Sequence, residues 1–368
     1  MDVINQLPSP EALLEELHRV VSKPIRLMVV CGTHNRAILR YGIREELPDF
    51  IELVAGPGCS VCVMPTGHVD AFVKVARQPD VITATCEDLL KVRGSKESLA
   101  DVLNEGVHRV EIISSPRQAL ELAYVEEDKI VVYPAVGFEA TAPSIAETIL
   151  EAAQNGVGNF CVIPSIRLLP PTIDALLLDP QLSIQGLLCS DHINTISDTE
   201  AYADLARKHS LSCCIAGFEK AEILQGILSM VKQIHRGESM VDASGAMVYS
   251  MEETARARRV VEEVFFPTET AWRGLGSIAE SGFVIRDELA LYDATKRFNV
   301  RFAEGTDQCM CHCNEIISGR ALPPDCPAFG MACTLQNPVG PCMISNEGIC
   351  AAYFKYKLES SRFSRLDV

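Results

Sequence analysis

Positive charge is scarce in this 368-residue chain: 33 Lys and Arg face 49 Asp and Glu, for a formal net charge of −16. A nucleic-acid groove needs a basic face to neutralise phosphates, and anionic lipid repels an acidic surface, so the balance argues against both partners. Long apolar runs are missing as well. No stretch reaches the roughly 18 apolar residues that a membrane span needs. The first seven residues hold no basic side chain and lead straight into an amphipathic pattern, so no secretory signal is expected. With 48% hydrophobic and 22% charged residues the chain is neither disordered nor fibrous. At roughly 150 residues per domain, the length predicts about two or three domains.

Cysteine, by contrast, is abundant. Fifteen are present, an odd number that fits poorly with a permanent disulfide framework in an unsecreted chain. Thiols kept reduced in a cytoplasm serve metals or redox chemistry, and a cytoplasmic location is expected.

The pattern along the chain is repetitive. Ser9 caps a first helix with Pro10 at its first position and Leu13, Leu14, Leu17, Val20 and Val21 on one stripe. Short apolar runs then alternate with helical stretches, at 27–30, 51–55, 81–85 and 109–114, and again at 130–133, 160–164, 186–189 and 213–216. Such alternation predicts an α/β fold with parallel sheets covered by helices. Four units followed by four more predict two similar domains, at 1–126 and 127–240. A charged linker over 236–268 carries a helix at about 251–264. The third region, 241–368, is then this linker helix and a small, loop-rich C-terminal domain.

Ligands of parallel sheets bind beyond the carboxyl ends of the strands. Those ends carry Cys31-Gly32-Thr33-His34, Gly56-Pro57-Gly58-Cys59-Ser60-Val61-Cys62, Gly137-Phe138-Glu139, Cys189-Ser190-Asp191-His192 and Gly217-Phe218-Glu219. Thiols, imidazoles and carboxylates are therefore expected along one edge. Cys59 and Cys62 follow a glycine turn whose amides would lower a thiol pKa. Cys86, Cys161, Cys213 and Cys214 lie in apolar runs and read as core.

Seven cysteines, 309, 311, 313, 326, 333, 342 and 350, crowd the C-terminal region among prolines. Their spacing lacks the paired knuckles usual for zinc, and Cys326-Pro327 resembles a ferredoxin-type pairing. A [4Fe–4S] cluster is favoured, with zinc as the alternative. Six or seven thiols exceed four ligands, and thiols left beside a cluster can exchange electrons with it as a dithiol–disulfide pair.

Cys311-His312-Cys313-Asn314-Glu315, Cys326-Pro327-Ala328-Phe329-Gly330, Cys333, Asn337-Pro338-Val339-Gly340-Pro341-Cys342 and Glu347-Gly348-Ile349-Cys350 together resemble the HypD family of hydrogenase maturation proteins. The upstream Cys31 and Cys59/Cys62 motifs, both Gly-Phe-Glu segments and Trp272-Arg273-Gly274-Leu275-Gly276 fit the same family in order. The resemblance implies a scaffold for the Fe(CN)2CO unit of [NiFe]-hydrogenase, enzymatic only within a complex. Its implied partners are a HypC-type small chaperone, which shares the iron, and a HypE-type cyanide donor. It implies that Cys31 binds the iron with His34 beside it, and that Cys59 and Cys62 form a thiol pair nearby. It further implies that Cys311, Cys326, Cys333 and Cys350 hold the cluster and that Cys313 and Cys342 are the adjacent redox pair. Cys309 lies outside the pattern.

The chain departs from the family's usual motifs at Asn35-Arg36, Ser60 and Asp191-His192-Ile193-Asn194, all on the expected sheet edge. The competing reading is a divergent relative that acts as an iron–sulfur-linked thiol–disulfide oxidoreductase or matures another metallocentre. A structural zinc protein with a partner-binding edge is a third.

Overall fold

The computed structural model of the chain describes residues 7–190, 199–243, 251–303, 305 and 310–359. Helix α1 (Pro10–Val20) starts as its sequence predicts: the Ala12 N–H donates to Ser9 Oγ at 3.3 Å, and Pro10 occupies a position whose N–H would have no partner. Leu13 and Leu17, one turn apart, are buried against the long helix Lys220–Arg236. Each contributes about 2 kcal/mol of apolar burial. These two helices and α2 (Gly32–Arg40) form one core with the outer face of the first sheet.

That sheet is wholly parallel, in the order β2-β1-β7-β8-β9: β1 (Ile25–Cys31), β2 (Ile51–Gly58), β7 (Gly186–Ser190), β8 (Ser212–Ala216) and β9 (Val241–Asp242). The second runs β10-β11-β6-β5-β3-β4, with β3 (Val81–Thr85), β4 (Arg109–Ile112), β5 (Ile130–Phe138) and β6 (Phe160–Arg167) parallel. An antiparallel hairpin, β10 (Phe265–Trp272) and β11 (Gly276–Ile285), completes it through β6. Helices Pro116–Val125, Ala142–Gln154 and Met251–Val264 cover its outer face.

The α/β class and the helix-covered sheets are as expected; the allotment of strands is not. A boundary at 126/127 would part β3 from β5, which are hydrogen-bonded from Val81↔Ile130 to Thr83↔Val132. The chain leaves the first sheet after β2, lays down β3–β6 in the second, and returns with β7. Each sheet thus draws on both halves of the chain. The linker expected over 236–268 likewise ends early, because Phe265 already begins β10. Pro267 and Glu269 hide that strand, and both are acceptable because β10 is an edge.

Residues 310–359 form short helices and turns, as the prolines predict. They pack on β2 through helix Cys313–Ile317 and on α2 through helix Ile349–Tyr353. Cys161, Cys189, Cys213 and Cys214 are buried. Cys86 is exposed, correcting its reading as core: the apolar run stops at Thr85, and Cys86 caps helix Glu87–Leu90. No helix among the described residues is long and apolar enough to cross a membrane.

Candidate functional site

The carboxyl ends of β1, β2 and β7 in one sheet meet that of β5 in the other, with Leu169 just beyond β6, around a pocket of about 200 Å³. Cys31, Thr33, Gly58, Ser60, Ser190 and Glu139 line it, and Glu347 reaches it from the C-terminal region. Cys31 ends β1 and caps α2, and its thiol is the one sulfur among the lining residues. Burial pushes that thiol up, opposed by the His34 backbone N–H, the Ser190 hydroxyl and the Thr33 backbone N–H. The Glu347 carboxylate raises it further and accepts a hydrogen bond from Thr33 Oγ1 at 3.2 Å. The buried Glu139 accepts from the Leu169 N–H at 3.1 Å.

Gly58 permits the close approach on which this mouth depends. A Cβ there would lie 1.8 Å from the Val30 carbonyl oxygen, beside the register shift that brings Cys31 opposite Gly58.

His34 is not arranged as expected. Its ring is buried, 4.7 Å from the Phe218 ring, with Nε2 2.7 Å from the Gly217 carbonyl oxygen. A carbonyl only accepts, so Nε2 carries the proton. His34 serves Cys31 through its backbone N–H, and its ring is not among the pocket-lining groups. Of the departures from the usual family motifs, Asn35 is absorbed structurally: Nδ2 donates to the carbonyls of Val29 at 3.1 Å and Cys31 at 3.2 Å. Arg36 is exposed and Ser60 lines the pocket. Asp191–Asn194 lie outside the described residues.

Behind Gly58 and Ser60, Cys59 and Cys62 are buried and joined as a disulfide. Helix Ser60–Val63 places them one turn apart, and the Cys62 N–H donates to Cys59 Sγ at 3.3 Å. They were expected as a thiol pair, and here that pair is oxidised.

The C-terminal cysteines converge. Cys311, Cys326, Cys333, Cys342 and Cys350 line one small cavity with Phe329, and Cys313 Sγ lies 2.8 Å from Cys342 Sγ. Hydrogen bonds from Cys311 and Cys342 favour the Cys313 thiolate. Gly340 leaves the cavity wall open, since a Cβ would meet Cys311 Sγ at 2.3 Å. The Val339 N–H donates to Cys333 Sγ at 3.3 Å. These features fit a soft, all-thiolate ligand set. Among the described residues no three His, Cys, Asp or Glu side chains are grouped so that they could hold one metal ion. Cys309 is outside the described residues.

The two cysteine regions are neighbours. Helix Cys313–Ile317 and helix Pro341–Ile344 both pack on helix Ser60–Val63. The segment after Pro341–Ile344 then fastens to helix Glu87–Leu90, which follows β3: Asp88 accepts from the Asn346 N–H at 2.9 Å and from Ser345 Oγ at 3.2 Å, one residue before Glu347 enters the pocket.

A buried basic cluster flanks this region. Arg167 Nη1 donates to Ser165 Oγ at 3.1 Å, and Ser165 Oγ is 2.9 Å from His68 Nδ1. His68 stacks on Phe302 at 3.7 Å between ring centroids. Burial pushes the Arg167 guanidinium down to about 9, and the charge of Arg273 adds to the effect. Burial, then Arg167 and Arg273, hold His68 well below its ordinary 6.5. The folded ring is therefore neutral while the unfolded one gains a proton below about 6.5. More protons on the unfolded chain mean that stability falls as the pH drops, by up to about 1.4 kcal/mol per pH unit for this group. Denaturant titrations between pH 7 and pH 5 should show this slope in the parent chain and a shallower one in His68→Gln.

Sequence reading alone assigned no task to Ser190, Glu139 or Glu347. Glu139 and Ser190 carried a signal, as polar residues at strand ends. Glu347 carried none beyond its closeness to Cys350, because it arrives from about 300 residues away in sequence to meet Thr33.

Two mainly parallel sheets that meet at a thiol-headed pocket, with a cysteine-lined cavity packed behind it, define a cysteine-rich α/β protein. The HypD family model, described as "Hydrogenase formation hypA family", matches residues 9–357. Hydrogenase maturation factor HypD of Azotobacter vinelandii is 38% identical over 338 residues, covering 90% of this chain and 89% of that protein. Its namesake from Rhodobacter capsulatus is 34% identical over 354 residues, covering 94% and 92%. That of Escherichia coli K12 is 32% identical over 372 residues, covering 98% and 100%. The chain belongs to the HypD family of hydrogenase maturation factors.

Proposed function

We propose that this chain is the scaffold on which the Fe(CN)2CO unit of [NiFe]-hydrogenase is assembled, with Cys31 holding the iron as cargo. The observation that carries the reading is the contiguity of three thiol stations. The pocket headed by Cys31 is walled by Gly58 and Ser60, these flank Cys59 of the Cys59–Cys62 pair, and the helices bearing Cys313 and Cys342 pack against the helix Ser60–Val63 that carries Cys62.

In the pocket, amide and hydroxyl donors beside Cys31 offset part of the burial that raises its thiol, and low-spin iron with cyanide and CO ligands favours such a soft sulfur donor once it is deprotonated. The Thr33 hydroxyl, which here donates to Glu347, is a donor suited to a cyanide nitrogen once it turns from that carboxylate. Glu139 and Glu347 add carboxylates at the pocket wall, where a proton can be held. Cys31 is half-buried, so its sulfur can be shared with a thiolate from a HypC-type chaperone docked over the mouth. A HypE-type protein delivers cyanide at the same opening, all within the cytoplasm.

Cys311, Cys326, Cys333 and Cys350 would hold a [4Fe–4S] cluster, which supplies low-potential electrons when bound. Cys313 and Cys342, with sulfurs 2.8 Å apart, cycle between dithiol and disulfide and pass two electrons to the Cys59–Cys62 pair.

Iron, acid-labile sulfide and zinc analysis of the anaerobically purified chain tests the cluster assignment. About four iron and four sulfide per chain are expected. Stoichiometric zinc without sulfide would overturn it in favour of a structural zinc site.

A further inference from the structure

The turn of the β10–β11 hairpin, Trp272-Arg273-Gly274-Leu275-Gly276, belongs to the second sheet yet touches both thiol pairs' supports. On one side, Arg273 grips the four-residue stretch Val63–Thr66 that follows Cys62. Its backbone N–H donates to the Val63 carbonyl at 2.7 Å, Nε to the Met64 carbonyl at 2.8 Å, and Nη1 to Thr66 Oγ1 at 2.9 Å. On the other side, Gly274 abuts Asn314, the residue after Cys313. A Cβ on Gly274 would fall 2.2 Å from Asn314 Cγ, and its φ of +71° suits glycine. The turn is itself anchored: Trp272 is buried and its Nε1 donates to Ser281 Oγ at 2.8 Å.

Burying a guanidinium costs more than burying an apolar side chain of similar size. Arg273 is 7% exposed, and what its planar fork achieves here is the simultaneous hold of a carbonyl and a hydroxyl at fixed angles. Disulfide exchange is demanding in just that respect, because the attacking sulfur must lie in line with the S–S bond it breaks.

We propose that this turn is the spacer setting the two thiol pairs against each other, with Arg273 as the positioning residue for disulfide exchange between them. The inference rests on the reading of the pairs as exchange partners. In the step, a thiolate of the Cys313/Cys342 pair attacks one sulfur of the Cys59–Cys62 disulfide and releases the other as a thiolate. The second thiol of the attacking pair then closes its own disulfide and frees the sulfur first attacked. Two electrons and two protons pass from one pair to the other, and no outside oxidant or reductant is consumed.

The test uses the full chain, purified anaerobically, reduced, and pulsed with one equivalent of diamide. Acid quenching, alkylation and peptide mass mapping then follow how the disulfide redistributes between Cys59/Cys62 and Cys313/Cys342. Misplacement by about 1 Å costs up to roughly 100-fold in rate, so Arg273→Met should slow redistribution at least about tenfold, with Arg273→Lys in between. Reduction of Cys59–Cys62 by added dithiothreitol should stay at the parent rate, which a generally loosened structure would not allow. Should Arg273→Met not fold, Thr66→Val removes one acceptor at constant shape and should slow redistribution about threefold. Redistribution at the parent rate in these variants would overturn the spacer role alone. A parent chain in which no disulfide ever moves between the pairs would overturn the exchange reading, and the spacer role with it.

Discussion

Replacing Cys31 with alanine should abolish the cyanide and CO infrared bands of the chain isolated with its partners, while leaving the iron and sulfide of the C-terminal region unchanged. The pocket at the sheet mouth has one sulfur among its lining residues, so no neighbouring thiol can substitute. The cysteine-lined cavity is formed by other residues entirely. A small, half-buried side chain at a strand end makes few contacts, and its loss should cost about 1 kcal/mol or less. Total loss of bands at nearly constant stability is a signature that general unfolding cannot imitate. Retention of the bands in Cys31→Ala would show that the iron is held elsewhere.

The second large effect is expected at Cys333. Its sulfur lines the cavity and accepts the Val339 N–H, and it lies in a turn where Phe329 pairs with Cys333. Residues 310–359 have little regular structure of their own, so the free energy of filling their ligand site is folding free energy. A ligand present at a thousand times its Kd contributes about 4 kcal/mol, and Cys333→Ser should forfeit that amount with most of the labile sulfide. Thermal unfolding followed by circular dichroism, beside sulfide analysis, reads both. A Cys333→Ser chain with full sulfide and an unchanged midpoint would remove Cys333 from the ligand set.

Much of this architecture is legible in the sequence. The strands at 81–85 and 186–190 and the helix at 251–264 follow from local period and β-branched content, which neighbouring residues alone determine. The convergence of the C-terminal cysteines was visible too, because dense thiols among prolines leave few ways to bury them. Partner choice was not legible. Nothing local distinguishes β3 pairing with β5 from β3 lying beside β2, since both are parallel, buried and apolar. The hairpin at 265–285 was missed because an edge strand tolerates the polar residues and proline that otherwise argue against a strand. His34 shows the same limit at one side chain: its place next to Cys31 was plain, whereas the turn of its ring toward Gly217 depends on a residue 183 positions away. The oxidation of Cys59 and Cys62 also lies beyond sequence, because a Cys-x-x-Cys turn accommodates either state.

The joint placement of the Cys31 pocket and the cysteine-lined cavity gives the hydrogenase-maturation reading its chemical content, and infrared spectroscopy addresses it most directly. The chain, produced together with the proposed HypC-type chaperone and HypE-type cyanide donor and isolated without oxygen, should show cyanide and CO stretching bands that disappear in Cys31→Ala. A complex fully loaded with iron but silent in that region would contradict the assembly of an Fe(CN)2CO unit on this chain.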